Sequence, residues 1–253
     1  MFDLVLFIIN RKKSVLCLSL DMLIGDYISI DVLMNDLEQI YSNQQIVPLK
    51  INYRDYITYT QHQREDINFL NKFYEDKAYW KNKIDLLPGK PEIYTSVDFT
   101  DTESKTFFQK KYTLNISKWE KFEEKCRKYH ITPTAMMLLL YCLTLKQWSK
   151  NKDFLINITV MQRPNIHDDI QKIIGDFTST TLFEFKESDS NSIKEQATQT
   201  QKILFDNLTH NAFSGIEVLR ELKRKDKESI IPYVFTSTVG SGNKENILQK
   251  RQL

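Results

Sequence analysis

The residues best placed to do chemistry are two carboxylates, Asp21 and Asp26, in the segment Ser19-Leu-Asp-Met-Leu-Ile-Gly-Asp-Tyr-Ile-Ser29. Charges set among Leu, Met and Ile are costly to desolvate, so a fold that keeps them must pair, hydrate or use them. A third carboxylate, Asp176, follows Gly175 and precedes Phe177 and Thr178. A carboxyl held against apolar neighbours has its neutral form favoured, which suits proton transfer near neutral pH. The stretch Asn157-Ile-Thr-Val-Met-Gln-Arg-Pro164 adds Thr159, whose hydroxyl can orient a water, a hydroxyl or an amide. It also adds Arg163, a natural partner for a buried carboxylate, because guanidinium stays charged and binds carboxylates bidentately. Each residue has a plainer reading beside this one. Asp21 and Asp26 are then loop carboxylates capping the next helix, Asp176 a turn residue, Thr159 a β-branched strand residue and Arg163 a strand end.

The elements that must hold these residues follow from periodicity. Met1–Ile9 reads as an apolar strand, and Asn10-Arg-Lys-Lys13 as a turn into a second strand at Ser14–Leu20. Ile28, Val32, Leu33, Leu37 and Ile40 share one face of a helix over Ile28–Tyr41, with Ser29 as its expected N-cap. Asp55–Ile84 carries aromatic residues near helical spacing and reads as one or two helices, stopped by Leu87-Pro-Gly-Lys-Pro91. The second half alternates: a strand at Thr106–Leu114, a helix at Ser117–His130 capped by Ser117, and an apolar, central helix at Thr134–Trp148 capped by Thr132 with Pro133 in its first turn. Strands at Phe154–Met161, Ser179–Phe185 and Pro232–Val239 and helices at Ser192–Asn207 and Gly215–Lys225 complete a mixed α/β pattern. The expected division is a first lobe over 1–95 and a second over 96–253, with a linker at about 86–105.

Composition excludes several classes. The 35 basic and 33 acidic residues give a net charge of +2, which makes no electrostatic case for nucleic acid or an anionic membrane. The apolar run at the start has its basic residues after it instead of before, is too short to span a bilayer, and lacks a small-residue cleavage site. The three cysteines have neither metal nor disulfide spacing, which fits a reducing cytosol; Cys17 and Cys142 lie in apolar runs and read as buried thiols. The four histidines, His62, His130, His167 and His210, are scattered, and no metal site is expected.

On these residues the chain resembles the heterocyclization domains of nonribosomal peptide synthetases, a branch of the condensation-domain superfamily. Ordinary condensation domains carry His-His-x-x-x-Asp-Gly after the corresponding strand; the cyclizing branch replaces it with Asp-x-x-x-x-Asp, here Asp21 to Asp26. Further stretches match in order: Ala78-Tyr-Trp with Leu87-Pro88, Thr132-Pro133 with Trp148-Ser149, Asn157 through Arg163, Gly175-Asp-Phe-Thr-Ser179, and Phe213-Ser-Gly215 with Phe235-Thr-Ser237. One Asp-x-x-x-x-Asp alone would carry no weight; six matches in order along essentially the whole chain do.

The resemblance implies a two-lobed α/β fold like chloramphenicol acetyltransferase, with a tunnel between the lobes, here incomplete at both termini. Such a partial domain is expected to expose apolar surface where strands are missing. It implies peptidyl carrier proteins as donor and acceptor partners, a neighbouring adenylation domain or the missing parts of the same domain, and no cofactor beyond the carriers' phosphopantetheine arms. It implies condensation of an acyl or peptidyl thioester with carrier-bound Cys, Ser or Thr, then cyclodehydration to a thiazoline or oxazoline. By carry-over Asp176 is the general acid/base and Thr159 its helper. Asp21, Asp26 and Arg163 form a structural motif in which Asp26 pairs with Arg163, and Thr178 and Ser237 line the tunnel. Two other readings stand beside it: a remnant that is inactive or acts only with a complementary chain, and a plain amide-forming condensation domain, against which the absence of any His near Asp21 argues.

Overall fold

The structure is a computed structural model that describes residues 2–94, 108–188, 192–227 and 229–239. The chain forms two compact units, Met1–Lys72 with Val160–Ser179 and Phe73–Thr159 with Thr180–Leu253.

The first unit opens with an antiparallel hairpin, β1 (Phe2–Asn10) and β2 (Lys13–Leu20), in register from Phe2↔Leu20 to Ile8↔Ser14. Neither strand buries a face: Phe2, Leu4, Leu6, Phe7, Ile8 and Ile9 are each more than half exposed. Cys17 on β2 is exposed as well, contrary to expectation, because an apolar run buries a thiol only where something covers it. Helix α1 (Tyr27–Tyr41) begins one turn earlier in its capping than expected. Its N-cap is Asp26, and Ser29 occupies the third helical position of a reciprocal capping box. Helix α2 (Tyr53–Gln63) is capped by Asn52, whose Oδ1 accepts from Arg54 N and Asp55 N while Asp55 Oδ2 accepts from Asn52 N. The small core of this unit joins Ile170, Ile173 and Phe177 to Ile51, Tyr53, Tyr56 and Ile166.

The second unit contains most of α3 (Ile67–Ile84), so the long aromatic segment is two helices separated at Arg64–Asp66. Helix α4 (Ile116–Lys128) is capped by Asn115, not Ser117: Asn115 Oδ1 accepts from both the backbone N and Oγ of Ser117. Asn ranks with Asp and Ser at the N-cap, and it comes first in the chain. Helix α5 (Pro133–Trp148) has Thr132 as its cap and Pro133 at its start, as the sequence predicts. Ala135, Leu138, Leu139 and Cys142 form its fully buried stripe, while Met137 and Leu140 on the other face stay partly exposed.

A three-stranded sheet orders β3 (Phe154–Met161) between β4 (Thr178–Phe185) and β5 (Val234–Phe235). The expected strand Pro232–Val239 shrinks to β5, which runs parallel to β3 and pairs only at Asn157↔Val234 and Ile158↔Phe235. Of the expected strand Thr106–Leu114, residues 106 and 107 lie outside the described residues, and Phe108–Leu114 forms no strand and is exposed throughout. A strand needs a pairing partner, which β-propensity alone does not supply. Part of the expected linker, 95–105, and the basic end Lys250-Arg-Gln-Leu253 also lie outside the described residues. Helix α6 (Ile193–Thr209), capped by Ser192, is tied to β4 by Asn207 Nδ2, which donates to Leu182 O, and helix α7 (Gly215–Arg224) places Val218 and Leu222 in one core with Leu155 and Leu182 of the sheet. The core here gathers Trp80, Ile84, Leu155, Leu182, Phe213 and Val218. The Trp80 indole N–H donates to His210 O at 2.9 Å.

Candidate active site: an anchored aspartate loop

In the first unit, the Asp-x-x-x-x-Asp segment meets the Gly-Asp-Phe-Thr segment through hydrogen bonds to Gly175, and a buried ion pair joins it to Arg163. Arg163 Nη2 lies 2.7 Å from Asp26 Oδ1 and Nε lies 3.3 Å from Oδ2; the two side chains are 3% and 1% exposed. Arg163 is otherwise saturated: Nη1 donates to Ile170 O and Ile173 O at 2.9 Å, and its guanidinium stacks 4.1 Å from the Phe177 ring centroid. Asp26 Oδ1 also accepts from Ser29 N at 2.8 Å and lies 2.7 Å from Ser29 Oγ. Cap and salt bridge are thus served by one carboxylate, and the plain and the structural readings of Asp26 hold together.

Ser29 completes the joint. It is fully buried, its Oγ accepts from Gly175 N at 3.0 Å, and it lies 2.9 Å from Gly175 O. Gly175 O also accepts from Asp26 N at 3.1 Å. Sequence reasoning placed Ser29 only as a cap. The signal for more was the Asp26-x-x-Ser29 spacing, which fits a capping box whose third-position side chain turns back toward the loop.

Asp176 stands half-buried on the anchored loop, and its Oδ1 accepts from Thr178 N at 2.9 Å. Its apolar setting is limited to one side, where Phe177 is buried against Tyr53 and Tyr56 at 5.3 and 4.5 Å. Tyr53, which sequence reasoning missed, donates its hydroxyl to Asp176 O at 2.7 Å. Burial, with the charges of Asp176 and Asp26 nearby, raises the Tyr53 phenol above its ordinary value, so it remains a donor throughout the neutral range. Burial raises Tyr56 likewise. A cavity of about 350 Å³ opens beside α2, lined by Tyr56, Thr60 and Gln63 and by residues 161–164.

Asp21 is not part of this joint. It is exposed, and its Oδ1 accepts from Leu23 N at 2.9 Å, closing a turn ahead of α1. Thr178 is exposed at the start of β4.

The second unit carries the hydroxyl residues. Thr159 Oγ1 lies 2.8 Å from Thr236 Oγ1, and Ser237 Oγ lies 3.4 Å from Thr134 Oγ1 on α5. Asn157 Nδ2 donates to Ile231 O at 2.6 Å, which ties β3 to the segment before β5. Tyr141 packs 5.7 Å from Phe235, and burial raises its phenol. Among the described residues, no group of three or more His, Cys, Asp or Glu side chains is placed to hold a metal ion. No helix among them is long and apolar enough to cross a membrane.

The model of the condensation-domain family matches residues 1–252. This chain belongs to the condensation-domain family. The domain is 31% identical over 247 residues to bacitracin synthase 1 of Bacillus licheniformis, covering 94% of this chain and 5% of that protein. It is 27% identical over 243 residues to phenyloxazoline synthase MbtB of Mycobacterium sp. (strain MCS), covering 95% of this chain and 20% of that protein. The domain therefore spans a small part of the length of these relatives. Among solved structures it resembles the EpoB cyclization-docking bidomain from Sorangium cellulosum, with a TM-score of 0.84 at 24% identity over 94% of this chain and 48% of that one. The fold is the α/β condensation-domain fold.

Proposed function

We propose that this condensation domain joins a carrier-bound acyl or peptidyl thioester to carrier-bound Cys, Ser or Thr and then closes the side chain onto the new amide. The product is a thiazoline or oxazoline. Support comes from the Asp-x-x-x-x-Asp segment in place of the paired histidines, and from a relative whose name is that of a phenyloxazoline synthase. The observation that carries the assignment of roles is the burial of Asp26, whose side chain is 1% exposed and engaged by Arg163 and Ser29. A carboxylate so enclosed is out of reach of a substrate. Asp176 keeps one oxygen with no hydrogen-bond partner among the described residues.

In this reading the Asp176 carboxylate takes the proton from the acceptor thiol or hydroxyl as that atom attacks the amide carbon. The addition gives a cyclic oxyanion, which takes that proton from Asp176 and becomes a hydroxy adduct. The Asp176 carboxylate then takes the proton of the ring nitrogen and gives it to the departing hydroxyl, which leaves as water as the C=N bond forms. The two protons of that water are those of the acceptor side chain and of the amide, and Asp176 ends ionised as it began. The resemblance assigns Thr159, paired with Thr236, as the helper hydroxyl. The partners are donor and acceptor carrier proteins, which deliver substrates on phosphopantetheine arms, together with a neighbouring adenylation domain. Holding both arms in one site makes the attack effectively intramolecular. A cytosolic location fits three cysteines that are all free thiols.

The test loads an acceptor carrier with Cys, Ser or Thr in turn and a donor carrier with an acyl group, and follows product mass. Amide formation followed by loss of one water is expected with at least one acceptor. Asp176→Asn is expected to slow the water-losing step by about 10²- to 10⁴-fold. Ring formation at the native rate by Asp176→Asn, or no water loss with any of the three acceptors, would overturn the proposal.

A further inference from the structure

We infer that Tyr53 is a positioning residue for the catalytic loop, setting the direction of the Asp176 carboxyl through the peptide carbonyl of the same residue. The inference rests on the proposed acid/base role of Asp176 and reaches a residue outside every motif that carries the family resemblance.

Three observations converge on Tyr53. First, its place is fixed: it is the first residue of α2, inside the Asn52–Asp55 capping box. Second, its ring closes one face of the loop. A Cβ added to Gly175 would lie 2.1 Å from Tyr53 Cδ2 and 2.5 Å from Cε2, so only glycine leaves room for this ring. The same ring stands edge-on to Phe177, at 83°. Third, its hydroxyl donates to Asp176 O at 2.7 Å.

The loop is thereby clamped at consecutive peptides. Ser29 and Asp26 hold the Gly175 N–H and carbonyl, and Tyr53 holds the Asp176 carbonyl. Arg163 and the two tyrosines fix the Phe177 ring on the far side. A peptide held at both ends rotates little, which narrows the directions open to the side chain between them. Without the phenol, the Asp176 carbonyl loses its anchor, the carboxyl is left to the Thr178 N–H, and its placement loosens. Small errors in the placement of a proton-transfer group are expensive in rate.

Tyr53→Phe removes only the hydroxyl and keeps the ring over Gly175. In the full chain with Cys-, Ser- and Thr-loaded carriers, it is expected to lower the rate of ring closure about threefold to tenfold, the worth of one hydrogen bond. Linear amide should accumulate, half-saturation by the acceptor carrier should not change, and thermal stability should stay near native. A second substitution asks the same of the donor alone: 3,5-difluorotyrosine at position 53 has the same ring but ionises at lower pH. Its ring-closing rate is expected to fall on the alkaline side as the phenol loses its proton, a limb absent from the native profile.

Native product ratios in Tyr53→Phe, or an unchanged profile with difluorotyrosine, would overturn the inference. If Asp176→Asn blocks ring closure in the same assay, the acid/base reading survives that result. If Asp176→Asn closes rings normally, that reading fails first. A Tyr53→Phe chain too unstable to assay leaves the fluorinated protein to decide.

Discussion

Asp26→Ala should unfold the first unit far more readily than its surface would suggest. The substitution strands the Arg163 guanidinium, whose side chain is 3% exposed, without its counter-charge. Removing one partner of a buried pair costs about 3–5 kcal/mol. It also frees Ser29 N at the start of α1, and loss of an N-cap costs about 0.5–2 kcal/mol. The two losses share one carboxylate and do not add fully, so about 4 kcal/mol is the expected total. Asp26→Asn separates them, because Asn caps nearly as well but leaves the charge unpaired.

The tryptophans at 80, 119 and 148 all lie in the second unit, so their fluorescence is the wrong probe. Hydrogen exchange at the amides of Asp26, Ser29 and Gly175 reads the joint directly. A loss of 4 kcal/mol corresponds to a fall in protection of roughly 10³-fold, since about 1.4 kcal/mol is tenfold. Asp26→Asn should lose nearly as much, which would assign the cost to charge and not to capping. In a cycle with Arg163→Met, the double variant should recover part of the loss, because removing both charges leaves none stranded. Recovery will be incomplete, since Ile170 O and Ile173 O lose their donors. Protection within tenfold of native in Asp26→Ala, with ring closure abolished, would refute this reasoning and give Asp26 a chemical role.

Other consequences follow from the same geometry. Of the three thiols, Cys17 should react at once with a disulfide reagent, while Cys126 and Cys142 should react only after unfolding, since burial raises both thiols. Gly215→Ala should destabilise the second unit by about 1–3 kcal/mol in a urea melt read by tryptophan fluorescence, because its Cβ would lie 2.9 Å from the Thr180 backbone oxygen, which cannot move aside. Hydrogen bonds from Lys146 and Lys152 hold Glu187 below its usual 4.5, so its contribution is present above that pH and lost as pH falls through the lowered value. Glu187→Gln should therefore show a shallower stability loss on acidification than the native chain.

Where sequence and structure agree, the deciding interactions are local. Thr132 and Pro133 start α5 because capping and a fixed φ act within one turn. The bounds of β3 fall where an apolar run meets polar neighbours. Where they part, the missing information is non-local or ambiguous at short range. Asp26 and Ser29 are both good caps three residues apart; Asp26 serves, and it is the one that the distant Arg163 pairs. The Pro232–Val239 run has strand composition, but β3 offers it two pairing positions. Cys17 sits in a run as apolar as that around Cys142, yet one lies on an uncovered hairpin and the other on the buried stripe of α5. Tyr53 carried no signal because its importance comes from Gly175, distant in sequence and recognisable only once a ring occupies the space a side chain would need.

That last case bears on how a loop can hold the carboxyl proposed for proton transfer. A proton-transfer group must stay partly exposed to reach its substrate, and exposed loop residues ordinarily wander. Here the order is supplied from the residue before and the residue after. Gly175 is fixed by Ser29 and Asp26, and Phe177 by Arg163 and two aromatic rings. Arg163 is in turn held by Asp26, so the ion pair acts on Asp176 through the loop's flanks without touching its carboxyl. On the proposed roles, the prominent aspartate in the sequence and the proton-transfer aspartate are different residues for a physical reason. Asp26 is desolvated and engaged by Arg163 and Ser29, whereas Asp176 is half-buried and keeps one oxygen without a hydrogen-bond partner among the described residues.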